Sequence, residues 1–281
     1  MDHQSRLIGL FTESAGNCSS PERSIISAVT NLRRGYRKGG TPEQRLRYYL
    51  RSRKIKSLQL TQELISDGAL QPIGIDYSHG FQLLLSSEKA ASRMRFTIAH
   101  EICHTFFYEL VPEIKFFPHD VDEKEERLCD LGAAELLMPA SSVQKVAPHL
   151  AVCIESLCTL ATEFSVSVTA MFLRLRFLRL WNCVFSEWHR MVDGNFALVN
   201  FYGGKTVPWE WEDESILQDA WHGRKTIFGN TLVRYSNEQG DGYYYPARFE
   251  IRRFGNKLVS LWGSEIEDPV SHYPLFETDI R

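Results

Sequence analysis

Cysteine is sparse in this 281-residue chain. The six present, Cys18, Cys103, Cys129, Cys153, Cys158 and Cys183, form no CxxC pair and no dense framework. They read as reduced thiols of an intracellular protein rather than a disulfide scaffold. Long apolar runs are missing as well. No stretch reaches the roughly 18 residues that a membrane span needs. The N-terminus MDHQSRLIGLFTESAGNCSS has too short an apolar run and no clear basic flank for a secretory signal. A cytoplasmic protein without membrane contact is therefore expected. Internal repeats and low-complexity tracts are absent too, and the net charge is only −3.

That small net charge hides a separation. Between Arg23 and Lys56 there are eleven Lys/Arg (positions 23, 33, 34, 37, 38, 45, 47, 51, 53, 54 and 56) against the single acid Glu43. Residues 101–135 reverse the balance, with ten Asp/Glu against three Lys/Arg. A basic arm beside an acidic segment could steer a charged macromolecule, nucleic acid included. A solvated helical face packed on an acidic neighbour explains the same pattern. With 43% hydrophobic and 24% charged residues, the chain is otherwise an ordinary globular sequence.

The pattern reads as α+β. Ser20-Pro21 opens a helix that Gly39-Gly40 should stop, and Thr41-Pro42 opens a second running to about Lys56. Short strands are expected around Ile73–Ile75 and Phe81–Leu85, turning through Ser78-His79-Gly80. A helix from about Ser87 carries apolar residues around most of its circumference, which predicts burial on nearly every side. Another helix ends at Pro139. Residues 155–181 form two helices meeting near Ser165-Val166-Ser167; Val168, Met171, Phe172, Leu175 and Leu178 make the second too apolar for a DNA reader. Beyond Trp181 the text becomes β, with Asp193-Gly194 and Gly255-Asn256 as two-residue hairpin loops. Four segments follow: a basic helical segment 1–60, a helical segment with a small sheet over 61–150, a helical pair over 151–182 and a mainly β domain 183–281.

The chemistry sits in HEICH, residues 100–104. His100 and His104 are four apart and share a helix face, so both imidazoles can reach one point. Glu101 follows the first histidine, as in zinc hydrolases. A catalytic zinc needs a third protein ligand and an open position. The metzincin extension is missing after His104, so the third ligand should come from the acidic helix start, where Glu125, Glu126 and Asp130 cluster. Glu126 and Asp130 are four apart: one can bind metal while the other orients a ligand histidine. Glu126 as ligand and Asp130 as the orienting carboxylate is the favoured assignment.

RFTIAHEICHTFF followed by ERLCDLGAAELLMP resembles the paired motifs of the ImmA/IrrE metallo-endopeptidases, over about residues 70–180. Matching back from Leu136-Leu137-Met138-Pro139, the resemblance puts the family's ligand glutamate on Glu126 and its asparagine on Asp130. Cys103 stands where the family has glycine, adding bulk at a close helix contact. The resemblance implies that 61–150 is a zincin-like peptidase domain and 151–182 a helix-turn-helix-like segment, in a zinc-dependent endopeptidase that cleaves a helix-turn-helix repressor of a stress response or mobile element. Manganese or iron also suits these residue types. Glu101 is the expected general base. Oxyanion donors are open among His119, His149 and Tyr108; the plainer readings are loop or surface histidines and a packed ring. Two alternatives stand beside the protease: a non-proteolytic regulator that binds protein or DNA around a structural metal, and an effector protease with another target.

Overall fold

The computed structural model describes residues 8–9, 11–13, 20–36, 39–62, 64, 66–74, 77–109, 123–202, 215–223, 226–236 and 242–263, with backbone alone for 231–236 and 242–246. By contact the chain forms two compact units. One comprises Met1–Ala140 with Phe164–Ser167, the other Ser141–Glu163 with Val168–Arg281. Most of the 155–181 helical pair belongs to the same unit as the C-terminal strands.

The first unit begins with α1 (Pro21–Arg34), where the Ser20 hydroxyl accepts the Arg23 N–H at 3.4 Å. The helix ends earlier than the glycine pair suggested, because Gly35 already caps it, donating its N–H to Asn31. Helix α2 (Pro42–Ser52) carries a reciprocal cap: Thr41 Oγ1 accepts the Gln44 N–H, and Gln44 Oε1 accepts the Thr41 N–H. It stops four residues short of Lys56. Lys54 takes a left-handed φ of 58°, and buried Ile55 begins a strand, β1 (Ile55–Thr61), that local sequence did not signal.

Strand β1 pairs in parallel with β3 (Phe81–Ser86), while β2 (Gly68–Pro72) pairs antiparallel on the other side of β3. Phe81, Leu83 and Leu85 alternate inward and are fully buried. The strand expected at Ile73–Ile75 lies earlier, at β2; Ile73 instead donates its N–H to Gly80, and Ile75 falls outside the described residues. Gly80, at φ +90°, closes the turn after Tyr77–His79.

Two helices complete this unit: α3 (Ala91–Tyr108) and α4 (Glu123–Leu137). Ile102, Cys103 and Phe107 of α3 pack in one core with Cys129 and Ala133 of α4 and Ile25 and Val29 of α1. Gly132 permits the close approach. A Cβ there would lie 2.6 Å from Cys103 Sγ and 2.9 Å from Ile25 Cγ1. The bulk that Cys103 adds to α3 is taken up by the missing side chain on α4.

The second unit contains α5 (Ala140–Val146), α6 (Ile154–Phe164) and α7 (Val168–Phe177), the last two bent by 99° where the sequence placed their junction. Met171, Phe172 and Leu175 are buried, in keeping with a packing role for α7. Strands β4 (Val184–Arg190), β5 (Phe196–Tyr202), β6 (Ile227–Ser236), β7 (Gly242–Phe254) and β8 (Lys257–Gly263) form an antiparallel sheet in the order β5-β4-β8-β7-β6. Helix α8 (Ser215–His222) places Leu217, Ala220 and Trp221 in a core with Trp188, Phe249, Ile251 and Trp262. Gly255-Asn256 is the expected two-residue loop, with Phe254 opposite Lys257. The other hairpin is one residue longer: Met191 donates its N–H to Asn195, and Gly194, at φ +89°, donates to Met191. Asp193 selects the longer loop by accepting the Asn195 N–H at 3.0 Å.

Candidate metal centre

Helix α3 carries His100 and His104 one turn apart on the face toward α4. Their Nε2 atoms are 3.1 Å from each other. Glu126, in the first turn of α4, brings Oε2 to 3.1 Å from His100 Nε2 and Oε1 to 3.4 Å from His104 Nε2. These three donors form a group able to hold a metal ion. A tetrahedral ion with bonds of about 2.0–2.1 Å separates its ligand atoms by about 3.3 Å, close to all three distances.

Each imidazole is also fixed from behind. His100 Nδ1–H donates to Asp130 Oδ1 at 2.9 Å, and His104 Nδ1–H donates to Glu125 Oε1 at 2.7 Å. A carboxylate can only accept, so both Nδ1 atoms carry the proton and both Nε2 lone pairs turn inward. Two converging lone pairs beside a carboxylate repel unless a cation, either a metal ion or a proton, lies among them. The same electrostatics appear in the titration of His100. Burial alone would lower it, but hydrogen bonds to Asp130 and Glu126 raise it to about 9. Glu126 moves the other way, held well below the usual carboxylate range by His100 and His104.

Glu101 is buried beside the group. The Leu70 N–H of β2 donates to its carboxylate, and a Cβ at Gly68 would lie 3.4 Å from its Oε1. Burial pushes its carboxyl above the ordinary range, although both histidines pull against that shift. A glutamate so raised is a better proton acceptor near neutral pH. Gly68 is required here, because a side chain would run into Thr97 Cγ2 of α3.

A second group, His104, Glu125 and Cys129, also has donor atoms close enough for a metal. All three are buried, and burial pushes the Cys129 thiol up to about 12. A protonated thiol in a closed pocket does not suit a metal with an open position, so the half-exposed Glu126 side is the better centre.

The remaining candidates fall elsewhere. Tyr108 stacks on His104, rings 8° from parallel with centroids 5.9 Å apart, so its ring supports the imidazole. His149 is exposed and belongs to the second unit, while His119 lies outside the described residues. Sequence reasoning placed Glu125 in the acidic cluster, set it aside as the ligand in favour of Glu126, and gave it no role of its own. Only the burial of its carboxylate against His104 marks it.

The profile of the IrrE N-terminal-like domain matches residues 68–176, from β2 through α7. This stretch is an IrrE N-terminal-like domain. The HEICH helix, Glu126 and the helical pair all lie inside it. The chain is also related, distantly, to the radiation response metalloprotease IrrE of Deinococcus deserti, 31% identical over 93 residues, which is 31% of this chain and 33% of that protein. The chain therefore matches about a third of the length of that curated relative. A Mycobacterium tuberculosis transcriptional regulator shares the fold beyond the IrrE-like region, with a TM-score of 0.53 and 13% identity over 92% of this chain and 79% of that one.

Proposed function

We propose that this chain is a zinc-dependent endopeptidase that cleaves a partner protein at a defined site. The partner is a helix-turn-helix transcriptional repressor, whose loss switches on a stress or mobile-element response. The observation that carries the reading is the convergence of His100, His104 and Glu126 with Glu101 alongside. Membership of 68–176 in the IrrE-like domain supports proteolysis, and the family resemblance supports the class of substrate.

When bound, zinc would polarise the scissile carbonyl and lower the pKa of the attacking water from 15.7 to about 7. His100, His104 and Glu126 would hold it, with Asp130 and Glu125 keeping the imidazoles in the binding tautomer. Glu101 accepts the water proton as the carbonyl is attacked and passes it to the departing amine. The Leu70 N–H keeps the Glu101 carboxylate in place between the two transfers.

The test compares new N-termini in cells that express wild type or Glu101→Gln. One new terminus inside a helix-turn-helix protein, present only with wild type, is the expected result. Identical termini in both would remove the protease reading. A second reading, a regulator that binds nucleic acid or protein around a structural metal, draws on Arg45, Arg47, Arg51 and Lys56, which are exposed on and just after α2. Salt-sensitive DNA binding that survives Glu101→Gln would favour it.

A further inference from the structure

The two histidines of the centre are held by very unequal partners. Asp130, behind His100, leaves 61% of its side chain exposed. Glu125, behind His104, leaves 4%. The Nδ1–Oε1 distance of 2.7 Å is also the shorter of the two. Water competes freely for the Asp130 carboxylate and has almost no access to Glu125. An ion-assisted hydrogen bond gains strength as competing water is removed.

His104 is confined on other sides as well. Tyr108 stacks against its ring, and Cys129 Sγ lies in the same small cluster of donors. Its imidazole therefore has one orientation, whereas His100 sits at the wetter rim. From these contacts we infer that Glu125 is the principal positioning residue of the centre: it locks His104 as the rigid anchor of the metal, and Asp130 holds His100 more loosely. The inference rests on the proposed metal-binding reading and ranks two orienting carboxylates that the mechanism treats alike. Glu125 touches no substrate and transfers no proton to it.

A buried Glu125 also accounts for the paired acids at the start of α4. Glu125 turns inward to the far nitrogen of His104, and its neighbour Glu126 turns to the near nitrogens of both histidines. One helical step, about 100°, separates the two roles.

The experiment measures zinc affinity by competition with a chelator in the full chain, for wild type, Glu125→Gln, Asp130→Asn and Leu136→Ala. Leu136 is a buried residue of the same helix and controls for general loosening of α4. Glu125→Gln should weaken zinc binding about 10–100-fold, with a smaller loss for Asp130→Asn and little for Leu136→Ala. Glu125→Asp should recover part of the loss. A second readout needs no metal: nitrogen-15 histidine spectra of the chelated protein should show a slowly exchanging His104 Nδ1 proton, absent from Glu125→Gln. Tight zinc binding in wild type with an unchanged affinity in Glu125→Gln would overturn the inference, as would equal losses in Glu125→Gln and Leu136→Ala. If wild type binds no zinc but keeps the protected proton, the metal reading fails while the positioning contact stands.

Discussion

Glu101 has the most demanding position of any side chain in the centre. It is buried among opposing influences, with desolvation raising its proton affinity and two imidazoles lowering it. Replacing it with glutamine keeps the size and the Leu70 contact but removes the base. Glu101→Gln should retain zinc by elemental analysis while kcat falls about 10²–10⁴-fold. Retention of full activity would exclude Glu101 as the base. Glu126→Ala should do the opposite and lose about one zinc per chain. His100 supplies a pH test. In chelated protein its folded pKa, about 9, lies above the ordinary value of 6.5 because Asp130 and Glu126 favour the charged ring over the cost of burial. The raised value means that its stabilising contribution is full below about 6.5 and disappears as pH rises through about 9. The thermal midpoint of the chelated protein should fall over that window, and Asp130→Asn should shrink the fall.

Between elements, the packing of α3 on α4 is decided by one pair, Cys103 and Gly132. A Cβ on Gly132 would press on Cys103 Sγ and Ile25 Cγ1 in a part of the core that is fully buried. Gly132→Ala should destabilise the protein by about 1–3 kcal/mol in denaturant titrations. Cys103→Gly should return part of that loss in the double variant, because the two changes share one space. Additive effects would mean that the helices do not meet through this pair. Local signals account for much of these elements. Ser20, Thr41-Pro42 and Pro139 marked helix ends because capping and proline chemistry act over three or four residues. β1 escaped notice because its partner β3 lies about 25 residues further on, and its exposed Leu58 and Leu60 blur any alternation.

At the scale of the whole molecule, the proposed metal ligands fall in one compact unit and the described tryptophans, Trp181, Trp188, Trp221 and Trp262, in the other. Emission from these four tryptophans therefore reports on the second unit. Chelation should lower the unfolding midpoint seen by far-ultraviolet circular dichroism and leave the emission midpoint in place, a departure from two-state behaviour. Coincident shifts would show that the units unfold together. The charge separation also resolves at this scale. Arg53 donates to Glu109 at 2.8 Å and to Thr105, with its guanidinium 4.1 Å from the centre of the Phe106 ring, and Arg33 pairs with Glu135 at 3.3 Å. Part of the basic arm is thus spent on the acidic helices, while Arg45, Arg47 and Arg51 face solvent. Among the described residues, no single helix is long and apolar enough to cross a membrane.

The sequence by itself determined that His100 and His104 share a helix face with Glu101 beside them, since a four-residue spacing has one geometric meaning on a helix. It also carried Glu126 and Asp130, through their own four-residue spacing and the motif around them. Tertiary structure alone decided that Glu125 turns inward, that Cys103 fits over Gly132 and that the Leu70 N–H reaches Glu101. Each of these depends on the phase with which one element meets another. Burial of a particular side chain is a property of that meeting, and no local pattern of residues encodes it.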